Sequence, residues 1–168
     1  YSDDNAYTIF ETMNDRGLNL TPTEMLKGFV LSRFQDPAKR QKANEIWKSS
    51  VQELHEKDKD EDQKFFQAWL RSQYADTIRP GKAGSKNEDF EKIGTKCHSW
   101  VRDNLSKMNL KSSSSSDFEG FIDNNFKFFH RAYLTILNAE AQLTPDMQFV
   151  YYIKRWGIAS SLSYPLLL

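Results

Sequence analysis

Apolar residues recur along this chain at steps of three and four, the spacing that gathers side chains on one face of an α-helix. Tyr7, Ile9, Phe10 and Met13 open the series, and Gly17 follows as a residue free to adopt the left-handed conformation that stops a helix. Thr21-Pro22-Thr23-Glu24 has capping-box spacing, with Thr21 as N-cap and Pro22 in the first helical position. It predicts a second helix to about Phe34 that buries Leu26, Phe29, Val30 and Phe34. After the break at Asp36-Pro37, Ala43, Ile46, Trp47, Val51 and Leu54 mark a third stripe. Glu56 to Lys64 alternates in sign and reads as a solvated helix end or loop. Phe65, Phe66, Trp69, Leu70 and Tyr74 then form a fourth helix.

The second half continues the pattern. Phe90, Ile93, Cys97, Trp100 and Met108 follow a heptad-like seam on a fifth helix, with Asn104 as a polar interruption. Phe118, Phe121, Ile122, Phe126, Phe129, Tyr133, Ile136 and Leu137 predict a long sixth. Thr144-Pro145-Asp146 starts a seventh carrying Met147, Val150, Tyr151 and Ile153, Gly157 ends it, and residues 158–168 begin an eighth. Two stretches break the period. Residues 79–86 hold proline and glycine but no large apolar side chain, and residues 111–116 are almost all serine, so both are expected to be flexible connectors. Sustained two-residue alternation is missing, which argues against a sheet. The expectation is an all-α, irregular array of roughly seven to eight helices.

Length and composition narrow this picture. A chain of 168 residues fits one domain, and at that size about 70% of the unfolded surface can be buried. Lysine plus arginine equals aspartate plus glutamate at 23 each, so no global field attracts nucleic acid or an anionic membrane. No apolar run reaches spanning length. The single cysteine, Cys97, forms no internal disulfide, and a cytoplasmic setting is expected. The chain stops on Leu166, Leu167 and Leu168, and three successive leucines cannot all face one core. The sequence therefore reads as part of a longer protein, with residues 158–168 packed on a neighbouring molecule or loosely held, and with self-association through these leucines.

Candidate chemistry is sparse. His55, His98 and His130 are isolated, so no metal site is expected. Cys97 lies on the apolar seam as an inert thiol. Lys27 and Arg33 suit a solvated face, and the pairs Asp3 with Asp4 and Asp117 with Glu119 point apart on a helix. No nucleophile, base and orienting group can be assembled, so no catalytic residue is assigned. Arg79, Lys82 and Lys86 are candidates for a phosphate contact on a basic loop, weighed against a plain surface loop.

One cluster has the character of a motif. Phe10-Glu11-Thr12-Met13-Asn14-Asp15-Arg16-Gly17-Leu18-Asn19-Leu20, followed by Leu26-Lys27, has the frame Phe-x-x-x-Asn-x-x-Gly-x-x-Leu. It resembles a segment of the GmrSD-type restriction endonuclease N-terminal-domain family, over about the first 34 residues. In that family a ParB/sulfiredoxin-like domain carries an Asp-Gly-Gln-Gln-Arg nucleotide-hydrolysis motif ahead of this segment, and many members end in an HNH-type nuclease domain. Neither feature is present here. The resemblance implies the helical portion of a modification-dependent restriction or phage-defence endonuclease, linking a nucleotide-hydrolysing domain to a nuclease domain and contacting DNA. It implies no cofactor in this portion, with a nucleoside triphosphate and a divalent metal belonging to the parent. Asn14, Asp15, Arg16 and Gly17 would stand at the edge of the nucleotide pocket or at a domain junction. Helix-stop geometry accounts for Gly17 without any ligand. The rival reading is a protein-interaction module with exposed apolar helix faces.

Overall fold

In the computed structural model, residues 20–76 and 89–168 are described, and these form only helices and turns. Helix α1 spans Pro22–Ser32, α2 Pro37–His55, α3 Glu61–Tyr74 and α4 Asp89–Asp103. A long rod follows, made of α5 Ser115–Gly120, a π-helical turn Phe121–Phe126 and α6 Lys127–Ala141. A 3₁₀ turn Pro145–Met147 leads into α7 Gln148–Arg155, and α8 covers Ser160–Leu167.

The starts follow from local chemistry. The Thr21 hydroxyl accepts from the Glu24 N–H at 3.2 Å while the Glu24 carboxylate accepts from the Thr21 N–H at 2.8 Å, the reciprocal box expected of this spacing. Asp36 caps α2 by accepting from the Ala38 N–H at 2.8 Å, with Pro37 in the first turn. Gly157, at φ 72°, ends the α7 segment in the left-handed region.

Three expectations need correction. Residues 111–116 are turn and helix start: Ser114 is the α5 N-cap, its hydroxyl bonded to Asp117 at 2.7 Å, and Ser115 and Ser116 are helical. Serine is a cap former as well as a linker residue, and Asp117 three positions on decides between the two. Helix α4 stops at Asp103, where the Asn104 amide donates to the Trp100 carbonyl at 2.8 Å, so Met108 is buried from a turn and not along a seam. Finally, residues 160–168 pack on the chain's own α3, with Tyr164 buried and Leu167 and Leu168 half-buried against the core. Leu166 alone of the three leucines points to solvent, at 68% exposure.

The core is a block of stacked rings. Trp47 from α2 packs on both Phe66 and Phe126, each 5.0 Å away. Trp69 lies against Phe121 and Phe129 at 5.2 and 5.3 Å, and Phe65 meets Tyr133 at 5.4 Å. The π turn is what allows this. Phe121 and Phe126 are five residues apart, a step that a regular helix would place on different faces, and the wider turn brings both onto the core.

The flanks of residues 77–88 are tied together. Lys107 pairs with Asp76 at 3.1 Å and with Asp89 at 2.9 Å, and the Trp100 indole N–H donates to Asp89 at 3.0 Å. The adjoining turn of α4 is held by Arg71, whose guanidinium donates twice to the Phe90 carbonyl and lies 3.6 Å from the Phe90 ring centroid.

Candidate functional site

The capped start of α1, the second half of α2 and the start of α3 enclose an open cleft of about 460 Å³. Trp47 and Val51 give it an apolar floor, and Thr23, Lys27, Lys48, His55, Gln52 and Asp62 are among its polar walls. Lys27 and Val51 are half-buried, whereas Lys48, Gln52 and His55 are exposed. Burial, and next to it repulsion from Lys48, holds the Lys27 ammonium below its ordinary pKa against the pull of Glu24. Thr23 is 2% exposed, and its hydroxyl has no hydrogen-bond partner among the described residues. Asp62, 5% exposed, pairs with His55 across 3.2 Å.

Helix periodicity had assigned Lys27 and Arg33 to a solvated face. The structure instead turns Lys27 toward the cleft, and Arg33 lies 4.6 Å over the Phe29 ring. It also overturns the solvated reading of Glu56 to Lys64 at its end, because Glu61 and Asp62 are each 5% exposed. A spacing signal was present. Glu61 and Asp62 precede Phe65 and Phe66 by four residues each and so share the buried stripe of α3.

Glu61 belongs to a second polar group, in the core. It accepts the Tyr133 hydroxyl at 2.6 Å and the Lys64 ammonium at 2.9 Å. Beside it, the Tyr164 hydroxyl is bonded to Glu140, which also pairs with Lys154 at 3.0 Å. Burial pushes both phenols well above their ordinary range, so they act as fixed donors. This group joins α3, α6, α7 and α8.

Cys97 and His130 are structural. The Cys97 thiol is buried, with its pKa pushed up to about 12, which removes the thiolate a nucleophile would need. His130 is 5% exposed, and its Nε2 donates to the Ser50 carbonyl at 3.1 Å. Burial lowers its pKa against the opposing pull of Glu53, so the folded ring is neutral. An unfolded histidine takes a proton near pH 6.5, so stability should fall as pH drops below about that value until the folded ring also titrates. Melting temperatures between pH 7 and pH 5 should show that fall, and its slope should be shallower in His130→Gln; an equal slope would place the effect elsewhere.

Asn14, Asp15, Arg16 and Gly17 lie outside the described residues, as do Arg79, Lys82 and Lys86. Among the described residues, no group of three or more His, Cys, Asp and Glu is placed to hold a metal ion, and no helix is long and apolar enough to cross a membrane. Away from the cleft, α7 exposes Phe149, Tyr152 and Trp156 at helical spacing, at 53%, 42% and 74%.

Together these features define a class, an all-α module whose described residues form a mixed polar and apolar cleft. Comparison with protein-family models, with curated proteins and with solved structures finds no match.

Proposed function

We propose that this chain is the helical portion of a modification-dependent restriction or phage-defence protein of the GmrSD type, joining a nucleotide-hydrolysing domain to a nuclease domain. The observation that carries the reading is the Phe10 to Leu20 segment, which runs directly into the capping box that opens α1 and forms a wall of the cleft. Four peptide units separate Gly17 from Thr21, which limits their distance to about 14 Å. Chemistry in such a parent belongs to the flanking domains, together with its nucleotide and divalent metal, and this portion contributes geometry and a DNA-facing support.

The purified chain, given magnesium with ATP or GTP and plasmid DNA, should release no phosphate and leave the plasmid supercoiled. Turnover above the blank that is lost in Asp15→Asn or Arg16→Ala would overturn this. The coding sequence upstream of Tyr1 gives the positive test, since Asp-Gly-Gln-Gln-Arg there supports the reading and an unrelated domain there removes it.

A second reading, a protein-interaction module, is favoured by α7. Only Val150 of this helix is buried, and Phe149, Tyr152 and Trp156 form an exposed aromatic face. Aromatic side chains on a fixed helix are the usual anchors of an interface. The two readings are compatible where the partner is another domain of the same parent.

A further inference from the structure

We propose that the cleft between α1, α2 and α3 is a binding site for a phosphate group carried by a small organic molecule, with Lys27 and Lys48 as its cations and Thr23 as a hydrogen-bond donor. The inference stands independently of the parent's identity. Lys27 and Lys48 line the same cleft and repel one another, and neither has a carboxylate at salt-bridge distance among the described residues, a disposition that an anion between them would relieve. Burial is the larger cause of the depressed Lys27 pKa, and repulsion from Lys48 adds to it.

The carboxylates of the cleft do not occupy this role. Glu24 is taken up by the Thr21 N–H and Asp62 by His55, while Asp60 is exposed. Lys59 adds a further exposed cation to the lining. Thr23 supplies an independent pointer. A buried hydroxyl left unpaired is costly, and this one sits in the cleft wall with no partner among the described residues. The floor of Trp47 and Val51 decides the rest of the ligand. A bare inorganic ion leaves that surface wet, whereas a phosphate ester with a ring or other apolar part covers it.

Calorimetric titration of the whole chain with phenyl phosphate and with inorganic phosphate tests this. Phenyl phosphate should bind, more tightly than inorganic phosphate. Lys27→Gln and Lys48→Gln should each weaken it about tenfold, and Thr23→Val about threefold or more. Lys48 is exposed, so its variant keeps the fold, and Lys27→Gln should melt no lower than wild type without ligand because it removes a partly buried charge. Phenol in place of phenyl phosphate should give no comparable heat. Phenol binding as well as phenyl phosphate, titrations unchanged in both lysine variants, or no binding by wild type at millimolar phenyl phosphate would each overturn the site. A short single-stranded oligonucleotide separates the two sources of phosphate. Failure to displace phenyl phosphate supports the small ester, and displacement that depends on Lys27 and Lys48 overturns that assignment in favour of a nucleic-acid backbone.

Discussion

Phe126→Ala should lower the free energy of unfolding by about 3–5 kcal/mol, the range for deleting a fully buried aromatic side chain. Phe126 is 0% exposed and stands where α2, α3 and the π turn converge, 5.0 Å from Trp47, 5.7 Å from Phe66 and 5.9 Å from Phe65. The rings around it cannot close the gap, because each is itself stacked on a further ring and movement of one opens a space behind another. Urea unfolding followed by tryptophan fluorescence would measure the loss, with Trp47 and Trp69 reporting from the cavity wall. A loss of less than about 1 kcal/mol would mean that the block collapses freely and is not the rigid unit described. Phe126→Leu, which keeps most of the volume, should cost less than half as much.

Glu61→Ala should cost about 2–3 kcal/mol, because it leaves the Tyr133 hydroxyl buried without an acceptor. The decisive comparison is the double variant. Tyr133→Phe together with Glu61→Leu removes both polar partners, and it should be more stable than the sum of the single losses predicts by about 1 kcal/mol or more. Strict additivity would show that the two groups do not share one hydrogen bond. Lys64 is half in water and pairs also with Asp58 at 3.4 Å, so Lys64→Ala should change stability by only about 0–1 kcal/mol.

The helices were legible because each apolar stripe repeats with the period of the element that buries it. Thr21, Asp36 and Gly157 also marked their boundaries through chemistry that acts within four residues. What could not be read was longer in range. The π turn is visible only as a five-residue step between Phe121 and Phe126, and a single such step in a phenylalanine-rich run has no meaning until the core is assembled. Glu61 and Asp62 sit at the end of a charged run whose composition speaks for water, yet their place one turn before Phe65 and Phe66 puts them inside. The cleft was not legible at all. Lys27 and Lys48 are on different helices, and only the approach of α1 to α2 brings them together. In the serine tract, composition spoke for a joint while the local offset from Ser114 to Asp117 spoke for a cap, and the local hydrogen bond prevailed.

The Lys107 bridge to Asp76 and Asp89 has a consequence for what can be inserted between them. One ammonium clasps the chain where it leaves α3 and where it enters α4, so the separation of those two points is set by packed helices and not by the residues that join them. Extending that join meets only the slow logarithmic rise in closure entropy, about 0.6 kcal/mol for each doubling of length. The pair of anchors therefore acts as a socket. A reporter domain whose own termini lie close together could be carried there with both halves of the helical array left in register, and new ends of the chain could be opened there for circular permutation.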